Sequence, residues 1–563
     1  MLNKIFYSGD SSRIIFFVLV ISLLPLNING QQFKIDSIRL KSNLLFLADD
    51  SMKGRAPGTQ EDSISAAFIA NQLRDYGFVP LIGNSILIPF TFTIHREVVF
   101  GSTFRTLGRD LKVGVDFRIH PISPNVQVEG EIMVMDFGDL KRLSANPSAI
   151  ESSPMKKVFD GKLLLVKVPY DSIQFYTTPV SLLGFKALLF YSSEASSISD
   201  KSRSSGVSIP VIWISDSLAE VFLNEKNLFC EIAGKINVVR ARSYNIAAVK
   251  PGIDNRYIMA GAHYDHLGNG GEGSGSMLRS GEGIHNGADD NASGVVSVLE
   301  SGRVLSELFN KKWSGNKGNY GVAIAAFGAE ERGLIGSKVL ADTLLALNKL
   351  PSLMLNLDMV GRMKENKLQT GGAGTFKGAD SLIRKVNENF NFQLTVTNDG
   401  FGPSDHSSFY NKGVPVLYFT TGVHKEYHTP DDDAKLINFK GLTMVTEYLT
   451  SIISEIIESR FEPEYIKSMA PASDTRRSFK VTLGLIPDFT YEKGDGFRVG
   501  SVTDGRPAQI AGMKEGDIII NMNSKKINNI YDYMTALGEL KQGSKTQVVI
   551  KRDLQEIILQ IEL

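Results

Sequence analysis

Tyr257-Ile258-Met259-Ala260-Gly261-Ala262-His263-Tyr264-Asp265-His266 sets an apolar run directly before a cluster of titratable side chains. The run reads as a strand, and the cluster then lies at the strand end, where open α/β sheets build their sites. The pattern recurs downstream. Gly321 to Phe327 precedes Gly328-Ala329-Glu330-Glu331-Arg332, and Ser352 to Leu357 precedes Asp358-Met359. Val414 to Thr420 comes shortly before Tyr427-His428-Thr429-Pro430. Gly287-Ala288-Asp289-Asp290-Asn291 lies between the first strand and the second. Strand-like and helix-like segments alternate over 241–456, which argues for a mostly parallel sheet wrapped by helices. The polar segments supply imidazole and carboxylate groups, the donors that borderline divalent metals such as zinc prefer.

As a set, the pieces HYDH, GADDNASG, GAEERGLIGS, NLDMVG and YHTPDD resemble the co-catalytic zinc aminopeptidase family. That family also holds glutaminyl cyclases, glutamate carboxypeptidases and the transferrin receptor ectodomain. The resemblance covers about 36–92 and 241–456. It implies a zinc-peptidase α/β/α sandwich with a mostly parallel mixed sheet. It also implies a site with two Zn2+ per subunit. By that match Asp290 bridges the two metals, His263 and Asp358 complete one, and Glu331 and His428 complete the other. Five ligands leave room for a bridging water or hydroxide, as catalytic zinc requires.

The resemblance and the local chemistry together assign further roles. Glu330 precedes a ligand at a strand end, where adjacent side chains point apart. It is the expected general base and the later proton donor to the leaving amine. Asp265, two residues after His263, suits a supporting role on the imidazole N–H. Tyr427 is the expected donor to the tetrahedral oxyanion. Asp289 supports its loop, and Ser404-Asp405-His406 reads as a support or substrate-side loop. His266, His285 and His424 have no matching role and read as ordinary loop residues.

Around this core the chain carries other units. Its 563 residues suit two to four domains. Lys4 and Arg13, the apolar run Ile14 to Leu26, and a short polar segment ending at Gly30 read as a secretory signal peptide over 1–30. Residues 31–94 open the peptidase domain. There Ala66, Ile69, Leu73 and Tyr76 repeat at helical spacing, until Gly77 and Pro80 stop the helix. The Gly54-Arg55-Ala56-Pro57-Gly58 loop matches the family without adding chemistry. Residues 95–240 turn β-rich, with runs at Glu131 to Phe137, Lys162 to Val168, Ala187 to Tyr191 and Val211 to Ile214. Their order resembles a protease-associated (PA) insert. Gly268 to Gly287 is a Gly/Ser-rich loop, either a tether or a substrate-side loop.

Residues 457–477 are charged and contain proline, and read as a linker. Over 478–563, Leu483-Gly484-Leu485-Ile486, Pro507-Ala508, Ala511-Gly512-Met513 and Gly516-Asp517-Ile518-Ile519 resemble a PDZ-like domain of the bacterial protease type. Such a domain captures a peptide C-terminus on backbone N–H groups, or serves only as a packing module.

Lys plus Arg equals Asp plus Glu at 61 each. No global basic field points to nucleic acid, and no basic run points to a membrane surface. Cys230 is the only cysteine, which excludes an intrachain disulfide. It reads as a small buried hydrophobe. The expected activity is a secreted or periplasmic zinc-dependent aminopeptidase acting on peptides. Glutaminyl cyclase-like or carboxypeptidase activity, with Arg362 as a carboxylate anchor, and a non-catalytic peptide-binding scaffold are the alternatives.

Overall fold

The computed structural model describes residues 33–145, 156–192, 199–202, 206–225, 228–271, 274–278, 282–313, 320–468, 481–487, 495–502, 505–528, 530–541, 543–553 and 555–563. The signal-peptide segment lies outside them. No helix among the described residues is long and apolar enough to cross a membrane.

The larger sheet runs in the order Gln393–Val396, Lys367–Gly371, Val416–Thr420, Leu353–Leu357, Tyr257–His263, Gly321–Phe327, Ile236–Lys250, Leu87–Val98. The four strands from Val416–Thr420 to Gly321–Phe327 are mutually parallel. Antiparallel pairings flank them on both sides. Every residue of Tyr257–His263, Gly321–Phe327 and Leu353–Leu357 is buried, as befits strands covered on both faces.

Those covers sort by residue parity. Ile258, Ala260, Ala262, Val322, Ile324 and Leu355 face the helices Gly294–Lys311 and Phe439–Ser459. Met259, Ala323, Ala325, Phe327 and Met354 face Leu340 and Leu344 of helix Ile335–Ala346, with Phe409 and Tyr410 beside them. The result is the expected α/β/α sandwich. Helix Gln60–Asp75 is capped by Thr59, whose hydroxyl accepts from Asp62 N, and it buries Ala66, Ile69 and Leu73.

Two long strands, Leu87–Val98 and Ile236–Lys250, leave the sandwich as an antiparallel ribbon with a bulge at Val239/Arg240. Between them lies a second sheet of eight strands. Its centre, Val126–Met135, Leu163–Lys167, Ala187–Tyr191 and Val211–Ile214, is parallel. Apolar clusters fill both of its faces. Cys230 is buried there, and burial pushes its thiol up to about 11.

Residues 457–459 finish the helix Phe439–Ser459, so the segment read as linker begins inside the sandwich. Ile466 N then donates to Thr375 O at 2.7 Å, and Ser468 N to the Tyr410 hydroxyl at 2.6 Å, which holds the chain against the sandwich as far as 468. The C-terminal unit is a small β-sheet with helices Pro507–Ile510 and Ile530–Leu537, closed on a core that includes Leu483, Phe497, Ile519, Tyr533 and Val548.

Candidate metal centre

Five side chains converge at the C-terminal ends of the parallel strands. His263 Nε2 lies 3.2 Å from Asp290 Oδ1 and 3.4 Å from Asp358 Oδ1. His428 Nε2 lies 3.2 Å from the other Asp290 oxygen and 3.3 Å from Glu331 Oε2. Asp290 therefore presents one oxygen to each half of the cluster. Glu330 Oε2 is 3.9 Å from His263 Nε2.

Local backbone explains how the ligands reach inward. Ala329, Met359 and His428 take φ values of 56°, 56° and 54°. This is the left-handed region, which costs a non-glycine residue about 1 kcal/mol or more. Each reverses the chain just after a strand or within a tight turn and turns Glu330–Glu331, Asp358 or His428 toward the centre. Gly287 has φ 55°, and a Cβ there would meet Asp290 O at 2.2 Å and the His266 ring at 2.5 Å. Only glycine allows the loop to pass so close.

Two charged groups pin these loops. Arg55 is fully buried and donates to Tyr264 O, Leu47 O, Asn286 O and Gly287 O at 2.5–3.0 Å. It thus ties the His263 loop to the Asp290 loop. Burial lowers its pKa to about 10, while Asp265 and Asp290 oppose that shift. Asp432 accepts from the backbone N of Asp289 and of Asp290, both at 3.0 Å. Burial raises the Asp432 pKa to about 6. The family match names the proposed ligands; Asp432 closes the YHTPDD segment that carries the match, but the sequence assigns it no role. Arg55 stood in a recognisable loop, and its clamp depends on contacts more than 200 residues away in sequence.

The electrostatics are those of an anionic cavity. Burial would lower the His263 pKa, yet Glu330 and Asp358 hold it well above the ordinary value. His428 is likewise raised, by Glu331 and Asp290 against burial. Asp290 is held well below the carboxylate range by His263, His266 and His428 despite burial. Glu331, against burial, is held at about 2 by His428 and His266. Glu330 goes the other way. Burial and the negative charges of Glu331, Asp405 and Asp358 raise it well above the ordinary value, against the pull of His263.

The supporting residues differ in detail from their sequence assignments. The Asp265 carboxylate accepts from Glu330 N at 3.0 Å and Glu331 N at 3.3 Å, so it shapes the glutamate turn. The nearest partner of His263 Nδ1 is the Asp265 backbone oxygen at 3.2 Å, with the carboxylate at 3.9 Å. Tyr427 stacks on the His428 ring with centroids 3.8 Å apart. Burial and the surrounding carboxylates keep its phenol protonated.

His266, His285 and His424 are all buried at this end of the molecule rather than in open loops. His266 Nδ1 lies 2.7 Å from Glu331 Oε1, and its Nε2 has no hydrogen-bond partner among the described residues. His285 spans Gly283 O and Ser276 Oγ, each at 2.8 Å. His424 lies 3.3 Å from Asp289 and 3.2 Å from Glu426. Asp289 Oδ1 accepts from Gly361 N at 2.6 Å, consistent with loop support. Asp405 is fully buried, and burial raises it to about 7.

The donor set fits zinc. With metal–ligand bonds of about 2.0–2.1 Å, two donors on one tetrahedral zinc stand about 3.3 Å apart. The four imidazole–carboxylate separations, two to Asp290 and one each to Asp358 and Glu331, are 3.2–3.4 Å and match that edge. The raised imidazoles show the same demand for positive charge, since protons there offset the carboxylates. His263, Asp290 and Asp358 form one group of converging donors, and His266, Asp290 and Glu331 another.

Residues 245–453 match the family model for Peptidase family M28, and residues 479–563 match that for the PDZ domain. Aminopeptidase YwaD from Bacillus subtilis is 28% identical over 315 residues, which are 53% of this chain and 63% of that protein. Leupeptin-inactivating enzyme 1 from Streptomyces exfoliatus is 34% identical over 183 residues, 31% of this chain and 35% of that protein. A solved structure of BSAP, a zinc aminopeptidase from Bacillus subtilis, aligns with a TM-score of 0.44 at 22% identity, covering 76% of this chain and 96% of that one. This chain thus spans less than two thirds of the length of either curated relative.

Proposed function

We propose that this chain, which carries an M28 peptidase domain followed by a PDZ domain, is a secreted zinc-dependent aminopeptidase. The observation that carries the proposal is the sharing of Asp290 between two halves of one cluster at zinc-compatible spacing. His263, Asp290 and Asp358 would hold one Zn2+, and Asp290, Glu331 and His428 the other. Bound there, the pair would supply an acidified water and a Lewis acid for the scissile carbonyl.

The chain's own residues do the rest. Glu330 stands beside the ligands with its amide anchored on Asp265. It accepts a proton from the attacking water and returns it to the leaving amine. The protonated phenol of Tyr427, fixed by its stack on His428, donates to the oxyanion. Glu330 and Asp358 provide negative charge for the α-ammonium of a free N-terminus. Burial of the cluster strengthens each of these electrostatic contacts.

The carboxypeptidase alternative needs a free cationic anchor. The charge of Arg362 is already offset, with Glu426 2.8 Å from Nη2 and Asp432 3.8 Å from Nη1, which favours the aminopeptidase reading. The signal-like segment 1–30 supports secretion, and the sequence order of the β-rich runs over 95–240 supports a protease-associated insert.

A panel of aminoacyl p-nitroanilides, with N-acetylated peptides as controls, tests the activity on the zinc-loaded chain. Free N-termini should be cut and acetylated ones should not. Equal cleavage of both would overturn the aminopeptidase assignment.

A further inference from the structure

The C-terminal unit touches the wall of the metal centre. Arg506 Nη2 donates to Met277 O at 2.9 Å. Met277 N in turn donates to His428 O at 3.0 Å, and His428 Nδ1 lies 3.1 Å from Gly275 O. One short loop, residues 274–278, therefore backs a proposed metal ligand on one side and receives a guanidinium from the PDZ domain on the other.

Beside this contact is an open cleft of about 590 Å³ between the two domains, lined by Met277, Lys425, Glu426, Asp431, Lys435 and Arg506 among others. Its relation to the metal centre is fixed by a β-turn. Thr429 N donates to Glu426 O at 3.1 Å, so Tyr427 and His428 are the turn's inward residues. Both turn ends, Glu426 and Thr429, line the cleft. The ends of such a turn lie within about 7 Å. The cleft thus begins a residue or two of extended peptide beyond His428.

The charges in the cleft are unequal. Glu426 is already paired with Arg362 at 2.8 Å and His424 at 3.2 Å. That leaves Asp431 against Lys425, Lys435 and Arg506. The lysines are mostly exposed, and their nearest carboxylates stand at 3.7 and 3.6 Å. Arg506 forms no ion pair among the described residues. Its stem crosses Gly484, where a Cβ would meet Arg506 Cβ at 2.1 Å.

We propose that this cleft is a distal substrate subsite. It takes the C-terminal carboxylate of a short peptide whose N-terminus lies at the metal centre, with Arg506 of the PDZ domain as the charge partner. The proposal rests on the aminopeptidase assignment and narrows it to free-acid peptides of about three to five residues. The PDZ domain then completes the substrate site, and the peptide's two ends are read by different domains.

The test uses the full zinc-loaded chain with Leu-Gly-Gly-Gly and its C-terminal amide. The wild type should favour the acid by about tenfold in kcat/KM, mainly through KM, as one charge-assisted hydrogen bond would give. Arg506→Gln should abolish that preference while leaving zinc content and leucine p-nitroanilide hydrolysis within about twofold. Lys435→Gln, at an exposed position, should reduce the preference in part. Equal treatment of acid and amide by the wild type, or a full preference in Arg506→Gln, overturns the proposal. So does a preference that grows with length to ten residues, which would place capture in the PDZ domain's own strand-edge groove. If no aminoacyl amide is cut, the aminopeptidase assignment fails by itself. Calorimetric titration of the same two peptides then reads the cleft directly, and an acid preference that survives in Arg506→Gln, or is absent in the wild type, still overturns the subsite.

Discussion

The peptidase sandwich and the inserted domain bury polar groups in opposite ways. Among the described residues of the insert, only Thr106, His120, Ser123 and Thr177 are buried polar side chains, and none is a carboxylate. Each makes a hydrogen bond, and the insert's buried atoms without a partner among the described residues, Ser102 Oγ, Arg118 Nε, Ser144 Oγ and Trp213 Nε1, include no carboxylate oxygen. The sandwich buries Asp265, Asp289, Asp290, Asp405 and Asp432 with Arg55 and several histidines at one end of its sheet. Both oxygens of Asp405 have no hydrogen-bond partner among the described residues. Burying an unpaired charge costs several kcal/mol, roughly, and a fold keeps that cost only where something offsets it. The contrast separates a region built for packing from one built to receive cations.

Asp290→Ala tests that contrast hardest. The wild type should bind two zinc ions per chain and the variant none, with hydrolysis of aminoacyl amides falling below about one-thousandth. Elemental analysis and kinetics measure both effects. A single zinc at saturation of the wild type would favour the cyclase alternative. Zinc retained by Asp290→Ala would mean that the shared carboxylate is not the organising ligand.

Glu330→Gln comes next. It removes the proton acceptor but keeps the side chain's size, so zinc content and KM should hold while kcat drops by about two orders of magnitude. Turnover within a few-fold of wild type would make Glu330 another structural carboxylate and weaken the case that this cavity is catalytic.

How much of this was legible without coordinates follows the same division. Metal chemistry restricts ligands to a few residue types, and parallel strands place them at one end. Local pattern thus marks polar clusters at strand ends, and the family match names His263, Asp290, Glu331, Asp358 and His428 within them. Neither gives His266 a role. Its neighbour in sequence is a loop, and only the fold brings it to Glu331, 65 positions away. Asp432 and Arg55 lie in segments that match the family, but they act on backbone atoms of distant loops, and those roles leave no local signature. In the fold, the buried strands stood out as apolar runs. The ribbon Leu87–Val98 with Ile236–Lys250 did not, because its burial is irregular: exposed and half-buried positions mix with buried ones such as Phe90, Phe92, Ile246 and Ala248 as the strands pass from one sheet to the other. The expected borders at 95 and 240 fall inside those two strands.

His266→Asn sharpens the comparison at intermediate scale. The imidazole lies 2.7 Å from Glu331 and 3.9 Å from Asp290, beside the five ligands that the family match names. Its loss should weaken zinc affinity by about 10–100-fold, chiefly for one of the two ions, with both still bound at saturation. Competition with a chelator would show this as one early-leaving zinc. Unchanged release of both ions would return His266 to a packing role.

The smallest effect belongs to the insert. Burial lowers the His120 pKa to about 4, from 6.5. Its Nδ1 accepts from Ile122 N at 3.2 Å, and its Nε2 faces the Tyr170 hydroxyl at 3.1 Å. The ring is therefore held neutral, and a proton on Nδ1 would break the backbone hydrogen bond. With the folded pKa below the unfolded one, the unfolded state binds more protons between pH 6.5 and about 4. The contribution is complete above 6.5 and is lost as pH falls toward the folded value. At pH 5.5 the insert should be less stable by about 1.4 kcal/mol, one pKa unit's worth. Trp213 lies in the insert and Trp313 in the sandwich, and they are the only tryptophans. Urea unfolding of Trp313→Phe, followed by Trp213 fluorescence at pH 7.5 and 5.5, measures the insert alone. His120→Asn, which keeps an acceptor for Ile122 N but does not titrate, should lose most of that pH dependence. A pH dependence unchanged in His120→Asn would place the titrating group elsewhere, and the insert would then hold a buried charge that its packing conceals.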